Sequence, residues 1–157
     1  MVSGPASDDD LRRLAQFITS WAERERDDNP TVLAVDSLDD PDLGKRWFVR
    51  LEGEEKQVTT VWFHLRQRTL HYETQFMPQP EENQQQLYEM LLAMNARLPG
   101  GWRFAIGWED AIYLEGAVAW SWVDDDLLDE IIGAAYHYTE RWFRPCMRVG
   151  YESKFRG

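Results

Sequence analysis

One cysteine, Cys146, stands in 157 residues. That excludes an internal disulfide and fits a reducing compartment. Apolar runs are short, and none approaches the roughly 20 residues that a bilayer-spanning helix needs. Cations are scarce, 17 Lys and Arg against 28 Asp and Glu, for a formal net charge of −11. Such a surface repels phosphate, so neither nucleic acid nor an anionic membrane is an expected partner. The opening MVSGPASDDD lacks a basic stretch followed by an apolar one, so no secretory signal is visible and the cytoplasm is the expected location. Catalytic signatures are missing too. Gly100-Gly101 precedes a strand pattern without the Lys-Ser/Thr of a P-loop, and Cys146 has no cysteine-protease motif around it.

What the chain has in surplus is aromatic: eight Trp, six Tyr and seven Phe, within 43% hydrophobic residues. A disordered chain would be poorer in these. The length suits one core, read as a single domain over 7–157 behind a disordered lead of residues 1–6.

The most legible stretch runs from Leu87 to Trp120. Leu87, Leu91, Met94 and Leu98 recur at helical spacing, with Tyr88 and Leu92 widening the stripe. Pro99, Gly100 and Gly101 end that helix. Trp102, Phe104, Ile106 and Trp108 then alternate with smaller or polar residues, which is strand periodicity. After a turn at Glu109-Asp110, Ile112, Leu114, Val118 and Trp120 predict another strand.

Upstream, Ser7 is a good N-cap ahead of Asp8, Asp9 and Asp10. Leu11, Leu14, Ile18 and Trp21 predict a helix over about residues 8–26. Asp27–Lys45 reads as an Asp-rich loop with at most a short strand at Thr31–Val35. Asp36, Asp39, Asp40 and Asp42 miss the alternation, central Gly and final Glu of a calcium loop. Three strands follow: Arg46–Glu52, Gln57–Leu65 and Arg68–Phe76. A turn at Gln67-Arg68 sets Phe63 opposite Tyr72 and Leu65 opposite Leu70. Val61, Phe63, Leu65, Leu70, Tyr72 and Phe76 then share a buried face, and Trp62, His64, His71 and Glu73 the other. Pro80 suits the first turn of the second helix. Asp124 caps a last helix, striped by Leu128, Ile131, Ile132, Ala135, Tyr138, Thr139 and Trp142, which Pro145 should stop, leaving Cys146–Gly157 as a tail. The expected fold is α+β: α-β-β-β-α-β-β-α, with a five-stranded antiparallel sheet packed against helices.

Each candidate site has a plain reading. His64, His71 and Glu73 offer zinc two imidazoles and a carboxylate, but a catalytic zinc needs three placed ligands and no third close one is fixed by the pattern. Asp124–Asp126 is accounted for by capping. No catalytic residue, cofactor or metal is expected. The Trp surplus differs, because helices on one sheet face cannot bury Trp47, Trp62, Trp102, Trp108, Trp120 and Trp122 together. By parity Trp62 leaves the core, and Trp120 and Trp122 alternate to one side between the last strand and the last helix.

Pro80-Glu81-Glu82-Asn83, Leu87-Tyr88 with Leu91-Leu92 and Asn95, and Ile112-Tyr113-Leu114-Glu115-Gly116 together resemble the YbjN-type domain family. So do Leu128-Asp129 with Ile132-Gly133-Ala134, Phe143-Arg144-Pro145 and Val149-Gly150-Tyr151. The resemblance covers about residues 45–152 and is nearest to the actinobacterial branch. It implies a type III secretion chaperone-like fold, a homodimer, a sensory-transduction or stress-regulatory role and no established enzymatic activity. It assigns no catalytic residues. The chain departs after Gly116, where Ala117–Val123 replaces a more polar, Pro-containing segment and Asp124-Asp125 replaces a Thr-Pro cap.

The expectation is a cytoplasmic, non-enzymatic, homodimeric protein-binding module, chaperone-like or regulatory. Its dimer contacts would come from Leu87, Tyr88, Leu91 and Met94 with the last two strands. Trp62, Trp120 and Trp122 would meet an unidentified protein partner. The alternative is a small-molecule sensor with an aromatic-lined cavity; an enzyme using the histidine pair is weaker still.

Overall fold

Ser7 opens the first helix as predicted, in a reciprocal capping box. Its hydroxyl accepts from the Asp10 N–H (3.1 Å) while the Asp10 carboxylate accepts from the Ser7 N–H (3.0 Å). The computed structural model describes residues 4–42, 44–99 and 101–155. Helices α1 (Asp8–Asp28), α2 (Gln84–Asn95) and α3 (Asp125–Gly150) lie against one sheet. Its strands are β1 (Val32–Asp40), β2 (Gly44–Glu52), β3 (Val58–Leu65), β4 (Thr69–Met77), β5 (Arg103–Ile106) and β6 (Ile112–Ala119). All pairs are antiparallel, in the order β1-β2-β3-β4-β6-β5. The fold is α+β, with six strands rather than five.

The extra strand is β1, expected as a loop with at most a short strand. Aspartate disfavours strands, but β1 is an edge with only one neighbour. Val35 and Ser37 turn inward opposite Val49 and Trp47, while Asp36 and Asp39 stay exposed. Charge on an edge strand also blocks pairing with another chain.

The hairpin β3–β4 has the predicted register, Phe63 opposite Tyr72 and Leu65 opposite Leu70. All six inward residues predicted there are buried. Buried indoles find acceptors: Trp47 Nε1 donates to Thr19 (2.9 Å) and Trp21 Nε1 to Asp129 (2.8 Å).

Three boundaries need correction. Pro145 does not stop α3, which continues to Gly150. An internal proline costs about 3 kcal/mol, but Pro145 and Arg141, whose carbonyl loses its partner, both lie on the exposed side. The last turns, expected as a tail, bury Cys146 and Gly150. A Cβ at Gly150 would stand 2.9 Å from Pro80, and its carbonyl accepts from the N–H groups of Glu81 and Glu82. Those contacts hold Pro80–Asn83 as a connection docked on α3, so α2 starts at Gln84 rather than at Pro80. The third correction is that Trp120–Trp122 forms a 3-10 turn, so the two indoles do not alternate as in a strand.

Of the expected disordered lead, residues 1–3 lie outside the described residues. Gly4 and Ala6 are tied to the fold: Ala6 is buried and donates to the Gln67 carbonyl, and the Gly4 carbonyl accepts from Trp120 Nε1.

Candidate functional site

Two surfaces stand out, one at the β5 edge and one on the sheet face that no helix covers. At the edge, α2 and β5 enclose an apolar groove of about 370 Å³ lined by Tyr88, Leu91, Leu92, Phe104, Ile106 and Ile112. Leu92 is 69% and Ile106 56% exposed, large values for such side chains. β5 is also an outer strand, and its backbone is partly closed by α2. Asn95 Nδ2 donates to the Phe104 carbonyl (3.0 Å), and its Oδ1 accepts from the Phe104 N–H (2.6 Å). One side chain thus occupies the place of a neighbouring strand, leaving side-chain packing as what the groove offers.

Of the four residues read as dimer contacts, Leu87 and Leu91 are buried in the chain's own core, and Tyr88 and Met94 are half-buried beside it. The exposed member of the stripe is Leu92, three residues from the helix end. Ile106 shares its groove because β5 is short and the alternation runs past the end of α2.

On the open face, Trp62 packs on Phe48 with ring centroids 5.3 Å apart. The Arg46 guanidinium lies 4.3 Å from the Trp62 ring and that of Arg50 5.2 Å from Phe48. Arg46 Nε donates to His64 Nε2 (3.0 Å), so the neutral ring carries its proton on Nδ1. Burial, with the nearby Arg46, Arg66 and His71 charges, pushes the His64 imidazole down to about 4. His64 does face His71 across the hairpin. Its Nε2 lone pair, however, is already directed at a guanidinium, which bars that atom from ligating while Arg46 is in place. Glu73 Oε1 lies 3.8 Å from the same nitrogen. Burial and Glu115 raise the Glu73 carboxyl above the usual carboxylate range.

Toward one end of this face, a concavity of about 730 Å³ opens between Arg50, Lys56, Trp62, Glu73, Trp108 and Tyr113. Trp108 is 77% exposed, on a turn where Glu109 and Asp110 both adopt left-handed backbone (φ 57° and 59°). Gly107 is required beside it, since a Cβ there would meet the Tyr113 ring at 2.4 Å.

Trp120 and Trp122 belong elsewhere. They follow β6, and Trp120 stands five residues past Glu115, the β6 member of the row that holds Trp62, roughly 16 Å along the strand at about 3.3 Å per residue. Trp120 is half-buried and bonded to Gly4, whereas Trp122 is 70% exposed. The three residues read as partner contacts are therefore not brought together. Cys146 is fully buried, and burial pushes its thiol up to about 11, the reverse of what a nucleophile requires. Asp124 caps α3 through the Leu127 N–H (2.8 Å), and Asp125 pairs with Arg24. Asp39 and Asp40 pair with Lys45 and Arg46. Among the described residues no three His, Cys, Asp or Glu side chains gather as a metal-ion set, and no helix is long and apolar enough to cross a membrane.

The open-face cluster was half legible. Strand parity placed Trp62, His64, His71 and Glu73 together, but Arg50, Lys56 and Trp108 join only through strand order and turn geometry. No spacing signal marks them.

The architecture is that of an α+β domain, a helix-backed antiparallel sheet with apolar and aromatic side chains left exposed. The chain belongs to the YbjN family, whose description is "Putative bacterial sensory transduction regulator" and whose model matches residues 10–147. The match takes in α1 and β1, ahead of the resemblance read from the sequence. An uncharacterised protein of Mycobacterium leprae is 28% identical over 120 residues, 74% of this chain and 62% of the relative. Uncharacterised proteins of Mycobacterium bovis and Mycobacterium tuberculosis are 28% identical over 108 residues, 69% of this chain and 58% of each relative. The chain thus spans about three fifths of the length of these curated relatives, in keeping with the actinobacterial resemblance.

Proposed function

We propose that this chain is a non-enzymatic regulatory module, chaperone-like in working through protein contacts, that acts in the cytoplasm as a homodimer. The observation that carries the reading is the α2–β5 groove. Leu92 and Ile106 hold apolar surface in water at a sheet edge whose backbone Asn95 satisfies at Phe104. A second copy packing about a two-fold axis would cover both grooves at once, the usual geometry for self-complementary patches. Size exclusion with light scattering is expected to give twice the 18.5 kDa chain mass. Leu92→Glu with Ile106→Glu should halve that mass and leave the melting temperature of the fold nearly unchanged, because both side chains are exposed. A wild-type monomer at micromolar concentration would sink the dimer.

For the partner, the displayed aromatics Trp62 and Trp122 are the anchors of this reading, and Trp120 supports Trp122 from the fold. Trp122→Ala should change stability by less than about 0.5 kcal/mol, as surface substitutions do, while it weakens partner capture. Loss of several kcal/mol in a thermal melt would instead make Trp122 a packing residue.

A further inference from the structure

We propose that the open-face concavity is a binding site for a small aromatic anion, with its ring against the Trp62 and Trp108 indoles and its acid group toward Arg50 and Lys56. This goes beyond the protein-docking reading and departs from it at one residue, taking Trp62 as a ligand wall instead of a partner anchor; the dimer seam at the α2–β5 groove is separate.

Charge is the first argument. The chain carries a net charge of −11, and among the described residues nine basic side chains sit within 4 Å of a carboxylate: Arg12, Arg13, Arg24, Arg26, Lys45, Arg46, Arg103, Arg144 and Lys154, of which Arg46 also lines the concavity and is paired with Asp40. Arg50 and Lys56 line the concavity, and neither has a carboxylate within that distance among the described residues. Among the described residues Arg50 meets a hydroxyl and a ring: Nε reaches Thr60 Oγ1 at 3.5 Å, and the guanidinium lies over Phe48. Lys56 Nζ donates to the carbonyls of Gln75 and Phe76, above the Phe143 ring. Burial of that ammonium pulls it down to about 8, so a negative partner nearby is what the position lacks. Glu73 is the single carboxylate among the described lining residues, set against the three cations Arg46, Arg50 and Lys56.

Shape and surface are the second argument. The volume of about 730 Å³ lies inside the range of small-molecule sites, roughly 300–1,000 Å³. Trp62, Trp108 and Tyr113 supply flat apolar surface, and the left-handed Glu109-Asp110 turn fixes Trp108 at the rim instead of folding it inward. Aromatic walls beside two cations that have no carboxylate partner among the described residues select for a planar ring bearing a carboxylate or a phosphate.

The test is a titration of the full chain, with indole N–H resonances recorded by nitrogen-15 NMR. The probes are 2-naphthoate, its neutral carboxamide, adenosine 5′-monophosphate and an acidic peptide containing phenylalanine. The proposal expects saturable binding of naphthoate or the nucleotide, with the carboxamide at least about tenfold weaker than naphthoate. Trp62 and Trp108 signals should shift while those of Trp21 and Trp47 stay fixed. Whichever anion binds more tightly identifies carboxylate or phosphate as the acid group. Arg50→Glu, at an exposed position, should cost at least about tenfold in affinity without lowering the melting temperature. Lys56→Gln should weaken the same probe and keep the same indole pattern. Equal binding of the carboxamide, indifference to Arg50→Glu, or no binding by either anion overturns the proposal. So does saturation by the peptide alone, which would make the face a protein-docking surface.

Discussion

Phe63 and Trp62 are neighbours in β3, yet they serve opposite sides of the molecule. Phe63 is fully buried, edge-on to Trp21 with ring centroids 5.7 Å apart. Trp62 is half-buried under Arg46 and beside Phe48. The same division runs along the whole hairpin. Val61, Phe63, Leu70, Tyr72 and Phe76 are spent on the core, while Trp62, His64, His71 and Glu73 form a polar-aromatic layer that no helix covers. Two adjacent aromatic residues therefore belong to different physical problems. The inner one is held by exclusion of water. The outer one is held by pairwise contacts that a ligand could exchange.

The comparison can be broken first where it is strongest. Phe63→Ala should destabilise by about 3–5 kcal/mol through lost burial and the cavity it leaves. A loss below about 2 kcal/mol in chemical denaturation would mean that α1 and α3 are not closely packed over β3.

Acid should give the next largest effect, from the outer side. The His64 imidazole sits at about 4 in the fold against 6.5 for an unhindered ring. As pH falls below 6.5 the unfolded chain takes up this proton and the fold does not. Stability is therefore complete above that pH and is lost progressively down to about 4. The full loss is about 3 kcal/mol, at 1.36 kcal/mol per pH unit. Arg46, Arg66, His71, Asp40 and Glu73 are the groups that face this ring or act on it. His64→Gln should flatten denaturation curves compared between pH 6.5 and 4. An unchanged slope would show that the imidazole protonates freely in the fold.

Trp62→Ala should be the mildest, about 1–2 kcal/mol for the lost ring pair and cation contact. A cost equal to that of Phe63→Ala would erase the distinction between the two faces.

How legible this was depends on how local the determining physics is. The Ser7 cap, the Asp124 cap and the β3–β4 register rest on spacings of a few residues, and each was readable. β1 was not, because its pairing with β2 outweighs the poor strand preference of Asp36, Asp39 and Asp40. Past Pro145, the end of α3 packs through Gly150 against Pro80 and Met77, partners distant in sequence. At the candidate sites, parity found Trp62, whereas the concavity requires residues from β2, the β2–β3 turn, β4, the β5–β6 turn and β6. The helix stripe found Tyr88 and Leu92, but not which of its members the core would consume.

The length of α3 has a consequence in time. Its 26 residues, about 39 Å at 1.5 Å per residue, cover the middle of the sheet and receive the β2–β3 turn on Glu140, the α1 side chain Trp21 on Asp129 and the start of α2 on Gly150. A growing chain on the ribosome makes every strand before it makes this helix. Until α3 emerges, its share of the cover over the inner side of β3 and β4 is missing, and α1 shields that side only in part, through contacts such as Trp21 on Phe63. Between the making of β4 and the making of α3 the nascent chain carries that part of its apolar face uncovered, and its solubility at that stage rests on the same acidic excess that the finished fold wears outside.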